Sequence, residues 1–116
     1  MIVAAGQGKR LLPLTEKCPK ALVQVHDRPL FLFSLACMIR AGIRDIGIVI
    51  QPQFRGDFER TLQEQNIDAN ITLIDQENVL GMAYAILVAR EFVQNRVCLV
   101  LAGDSVNNFD FTTALN

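Results

Sequence analysis

Residues 45–50 read DIGIVI, and runs of the same kind stand at residues 2–5, 71–74 and 96–102. Each is apolar at nearly every position rather than at alternate ones. A strand of that composition has to be buried on both faces, which is the habit of parallel sheets covered by helices on each side. The segments between the runs carry helical signals. Pro29 suits the first turn of a helix that runs to about Arg40, with Gly42 as its stop. Residues 54–65 place Phe54, Phe58 and Leu62 on one helical face, and residues 81–93 read as a further helix with few breakers. Residues 21–25 read as one more short strand. The alternation predicts an α/β chain, a three-layer α/β/α arrangement around a mostly parallel, Rossmann-like sheet.

The 116 residues fall within the usual span of one domain. Hydrophobic residues make up 51% and the net charge is −1, a balance that excludes a disordered chain and a basic nucleic-acid arm. No apolar stretch approaches the ~18 residues that would span a bilayer, and no signal peptide is visible, so neither a nucleic acid nor a membrane is an expected partner. Cys18, Cys37 and Cys98 are scattered and odd in number, which points to reduced thiols and a cytoplasmic setting. Cys37 and Cys98 read as core fillers. Cys18, beside Pro19 and Lys20, is either a modestly reactive thiol or a structural one. His26, the only histidine, lies in the turn-like His26-Asp27-Arg28-Pro29 and reads as a surface residue. The run at residues 30–39 has two readings, a core helix or a surface awaiting further chain or a partner.

Charge is segregated. Residues 1–28 carry Lys9, Arg10, Lys17, Lys20 and Arg28 against Glu16 and Asp27, a net +3, while the remainder is net −4. This indicates a local anion site. Its natural place is beyond the carboxyl ends of the strands, where open α/β sheets bind ligands. Two such ends carry suitable residues. Ala5-Gly6-Gln7-Gly8-Lys9-Arg10 combines glycines, which let backbone N–H groups approach an anion, with two cations. Gly103-Asp104 follows the last apolar run and offers either a metal-binding carboxylate or a turn cap. The glycine loop is not a dinucleotide fingerprint, since Leu11 stands at the third glycine position. Nor is it a Walker A loop, since Arg10 follows Gly8-Lys9.

Residues 5–20 read AGQGKRLLPLTEKCPK. This closely resembles the G-x-G-[ST]-R-L-x-P-L-T-x-x-x-P-K signature of the sugar-phosphate nucleotidyltransferases. Ala41-Gly42-Ile43 with Ile46, Gln76 with Gly81-Met82-Ala83-Tyr84-Ala85, and Leu101-Ala102-Gly103-Asp104-Ser105 resemble further motifs of the same family. The likeness is greatest to glucose-1-phosphate thymidylyltransferases, with uridylyltransferases next. It implies the family's fold and reaction: a sugar 1-phosphate oxygen attacks the α-phosphate of a nucleoside triphosphate, dTTP or UTP, and pyrophosphate leaves. Carried over residue by residue, Arg10 and Lys20 are the catalytic cations, Arg10 on the leaving phosphates and Lys20 near the α-phosphate and the sugar phosphate. Ala5, Gly6, Gln7, Gly8 and Lys9 line the nucleotide, Gln76 and Gly81 read the base edge, and Asp104 binds Mg2+.

Two positions depart from the pattern: Lys9 replaces a usual Ser or Thr, and Ser105 replaces a frequent Asn. Motifs for the sugar pocket and a second magnesium carboxylate are not matched. The expectation is that residues 1–116 form the N-terminal, nucleotide-binding part of an incomplete nucleotidyltransferase domain, whose full-length form could assemble as a homo-oligomer. Two alternatives remain: a non-catalytic nucleotide-binding or regulatory module, and a CTP-dependent cytidylyltransferase relative.

Overall fold

Asp45–Ile50 forms a six-residue strand whose residues from Ile46 onward are all buried, as DIGIVI requires. The computed structural model describes residues 1–6, 18–78 and 80–106. In chain order the strands are β1 (Ile2–Val3), β2 (Gln24–Val25), β3 (Arg28–Pro29), β4 (Asp45–Ile50), β5 (Asn70–Asp75) and β6 (Leu101–Ala102). The helices are α1 (Leu30–Arg40), α2 (Arg55–Gln63), α3 (Met82–Val88) and α4 (Arg90–Val93). Four strands make one sheet in the order β5-β4-β1-β6, and all its neighbours are parallel. The carboxyl ends of all four therefore lie along one edge of the sheet.

Helices cover both faces, giving the three-layer arrangement. On one face Phe31, Leu35 and Met38 of α1 and Phe58 of α2 pack with Ile2, Ile48 and Ile50. Phe31 and Phe58 meet edge to face with ring centroids 5.0 Å apart. On the other face Ala85 and Ala89 lie with Val49, Met1 and Ala5. Residues 30–39 are thus core: Leu30, Phe31, Leu32, Leu35, Cys37 and Met38 are all buried, which overturns the reading of this run as waiting surface. Among the described residues, the exposed large apolar side chains lie elsewhere, at Leu80, Met82, Ile86 and Leu87 around α3, and at Val97, Val100 and Val106.

Several expected elements are redrawn. Residues 21–25 do not join the sheet: Lys20–Leu22 is a 3-10 turn that buries Ala21 and Leu22, and β2 pairs only with antiparallel β3. Between β2 and β3, His26 and Asp27 have φ of +52° and +61°, the geometry of a tight hairpin turn, so His26 is the exposed turn residue expected. The helix expected at 54–65 begins as a 3-10 turn, Pro52–Phe54, and continues as α2. The helix expected at 81–93 breaks at fully buried Ala89. The break turns Phe92 toward Gly47 of β4, where an added Cβ would stand 2.9 Å from the ring. The run at 96–102 is strand only at Leu101–Ala102, which pair with Ile2 and Val3 of β1. Val97 is left 99% exposed.

Candidate active site

The end of β1 is fixed by its neighbours. Ala4 N donates to Val49 O at 2.8 Å, and Gln51 Nε2, just past β4, donates to Ala5 O at 2.9 Å. Ala5 is buried, whereas Gly6, where the chain leaves the sheet, is exposed. Gln7, Gly8, Lys9 and Arg10 lie outside the described residues.

The same edge brings Lys20 to Asp104. Lys20 begins the 3-10 turn after Pro19, and Asp104 stands two residues beyond β6. Lys20 Nζ and Asp104 Oδ2 are 3.1 Å apart, with both side chains about one-third to two-fifths exposed. Gly103 allows this turn to hug β1. Its N–H donates to Val3 O at 2.8 Å, and a Cβ there would stand 3.0 Å from Ala4 Cβ and 3.1 Å from Val3 O. The two residues, expected separately from distant motifs, thus form one pair of opposite charges within reach of solvent.

Gln76 follows β5, at the opposite edge of the sheet. Four strands spaced at the usual ~4.8 Å put it about 14 Å from the β6 end. It is 1% exposed; its N–H donates to Ile50 O at 2.7 Å and its Nε2 to Asn78 O at 3.0 Å. Gln76 is therefore a buried, hydrogen-bonded amide rather than an exposed loop residue. The β5 end is further tied by Arg55, which donates to Leu73 O at 3.1 Å and pairs with Asp75 at 3.0 Å. Gly81, with φ of +97°, directly precedes α3. Gln76 is thus not gathered at the Lys20–Asp104 pair; it stands apart from it, with the ends of β4 and β1 between.

Two polar residues at this edge were not anticipated: Gln51, and Ser34 of α1, which bonds to the end of β6. The signal for each is a polar group where an apolar run should continue or has just ended. The thiol of Cys18, beside this turn, is pushed up by burial and, secondarily, by the Asp57 carboxylate, so it is less ionised than an ordinary cysteine. This favours the structural reading. The cysteines form no disulfide.

Mg2+ prefers one or two carboxylates together with substrate phosphates over an all-protein cage. Asp104 supplies one accessible carboxylate, and no group of three or more His, Cys, Asp or Glu gathers among the described residues. This donor set fits a cation shared with a phosphate ligand. No described helix is long and apolar enough to cross a membrane.

A family model described as Nucleotidyl transferase matches residues 1–116. The chain belongs to that family. Among nucleotidyl transferases it is similar to the glucose-1-phosphate thymidylyltransferase of Neisseria meningitidis, at 34% identity over 117 residues, covering 99% of this chain and 41% of that enzyme. It is 34% identical over 107 residues to the enzyme of the same name from Mycolicibacterium smegmatis, covering 91% of this chain and 37% of that one. A crystal structure of a candidate glucose-1-phosphate thymidylyltransferase from Bacillus anthracis, in complex with a sucrose, superposes with a TM-score of 0.90 at 28% identity, covering 98% of this chain and 47% of that one. A UDP-glucose pyrophosphorylase structure shares the fold, with a TM-score of 0.81 at 21% identity, covering 98% of this chain and 49% of that one. The chain spans less than half the length of these relatives.

Proposed function

We propose that residues 1–116 are the nucleotide-binding part of an enzyme that transfers a nucleoside monophosphate from dTTP or UTP to a sugar 1-phosphate. The observation that carries this reading is the 3.1 Å Lys20–Asp104 pair at the carboxyl edge of the sheet, formed by two motif residues distant in sequence. An ammonium and a carboxylate side by side suit a metal-bound phosphate, the carboxylate taking the cation and the ammonium the anion. A sugar 1-phosphate oxygen bonds to the α-phosphorus as the bond to the bridging oxygen breaks, and that oxygen leaves with pyrophosphate. No covalent protein nucleophile is needed, so positioning and charge neutralisation carry the catalysis. Lys20 offsets charge near the α-phosphate and the incoming sugar phosphate, while Asp104 holds Mg2+. Bound Mg2+ would neutralise phosphate charge. Ala5, Gly6, Gln7, Gly8 and Lys9 line the nucleotide, and Arg10 grips the departing phosphates. Gln76, across the sheet edge, and Gly81, before α3, read the base. The reduced cysteines fit a cytoplasmic setting.

Calorimetric titration of the chain with Mg2+–dTTP, Mg2+–UTP and Mg2+–CTP tests this reading. The expected result is binding of dTTP or UTP ahead of CTP, with the preference reduced in Gln76→Ala. Equal binding of all three, unmoved by Gln76→Ala, would overturn the assignment of base reading. A coupled pyrophosphate assay should show no turnover by these 116 residues; clear turnover would contradict their assignment as the nucleotide half alone.

A further inference from the structure

Ser34 is the polar residue within the apolar α1 sequence LFLFSLACMI, and it is 1% exposed. A serine hydroxyl inside a helix usually returns to a carbonyl one turn back. Here Ser34 Oγ crosses to the sheet and donates to Ala102 O at 2.8 Å, with Ser105 O also near at 3.4 Å. Leu101 and Gly103 donate their N–H groups to Met1 O and Val3 O, at 2.9 and 2.8 Å. The alternation of a strand therefore turns the Ala102 carbonyl away from β1, and Ser34 meets the acceptor that the ladder with β1 does not use. The carbonyls of Ala102 and Ser105 flank the Gly103-Asp104 step. Gly103 is pressed on β1 from one side, and Ser34 holds the flanking backbone from the other.

We propose that Ser34 is a positioning residue for Asp104, its buried hydroxyl fixing the turn that aims the carboxylate at Lys20 and at a metal-bound phosphate. The ligand named rests on the functional reading above; the positioning rests on the hydrogen bonds alone.

The test is Ser34→Ala, which removes the hydroxyl while raising helix propensity and so leaves α1 able to form. Two measurements are made on the chain. In the first, binding of Mn2+–dTTP should weaken about tenfold, as expected when a group orienting a metal ligand is lost, while binding of metal-free dTTP should hardly change. In the second, amide hydrogen exchange should quicken about tenfold at Gly103 and stay unchanged at Gln76, whose N–H bonds at the far edge of the sheet. Unaltered exchange at Gly103, or acceleration spread evenly over the sheet, would overturn the proposal, as would equal losses with and without metal. If the unsubstituted chain binds no Mn2+–dTTP, the functional reading fails, and the exchange measurement still decides the role of Ser34.

Discussion

The two ends of the sheet hold their charges in different ways. At the amino end Arg96 pairs with Asp45 at 3.2 Å, and the same guanidinium donates to the carbonyls of Phe92 and Val93 and lies over the Phe92 ring at 5.5 Å. At the carboxyl end Lys20 meets Asp104 at 3.1 Å. The lengths are nearly equal, but the commitments are not. Arg96 is used up in closing the end of α4, so its pair reads as structure. Lys20 is a point charge beside a carboxylate, with both members partly open to solvent, which suits the proposed role of admitting an anion with its cation. An ion pair's length alone thus says little about its role; what else its members hold says more.

Phe31→Ala removes a fully buried ring that packs on Phe58 beneath the whole sheet. It should cost about 3–5 kcal/mol in chemical denaturation, and both ends should loosen together. Lys20→Ala should weaken Mg2+–dTTP binding at least tenfold, about the worth of one charge-assisted hydrogen bond. Its effect on unfolding should stay under about 1 kcal/mol, because the pair is partly solvated.

Arg96→Ala should do the reverse, lowering stability by roughly 1 kcal/mol and leaving nucleotide binding unchanged. Loss of binding in Arg96→Ala would break the distinction between the ends. The smallest effect concerns Cys18. Because burial raises its pKa, its thiolate fraction at pH 8 lies below that of a free cysteine. Alkylation followed by mass spectrometry should therefore be slow at pH 8 and quicken only well into the alkaline range; rapid labelling at pH 7 would contradict this.

Much of this was legible beforehand, for physical reasons that vary along the chain. DIGIVI fits β4 to the residue, since a strand buried on both faces has no polar position to blur its limits. Pro29 and Gly42 likewise bracket α1. The edge elements were less legible. Residues 96–100 have strand-like apolar character, yet the strand β6 covers only Leu101–Ala102, since apolar composition does not specify where pairing starts. Residues 21–25 fold as a buried turn and half of a hairpin because Ala21 and Leu22 are needed in the core. Within the site, Lys20 and Asp104 could each be named from spacing, but their meeting depends on the order of β1 and β6 in the sheet. Ser34 and Gln51 leave only a faint signal, a polar residue within or just after an apolar run, because their partners are backbone carbonyls that side-chain identity does not specify.

Lys20 and Asp104 are proposed to make one site for a metal-bound triphosphate. The most direct measurement is the Mg2+-dependence of dTTP binding by the chain, compared with Lys20→Ala, Asp104→Asn and the double variant. Asp104→Asn should abolish the enhancement by Mg2+, and Lys20→Ala should weaken binding with and without the metal. The two losses should not be additive, as for groups sharing one ligand. Mg2+-enhanced binding that survives Asp104→Asn, or losses no greater than that of Arg96→Ala, would contradict it.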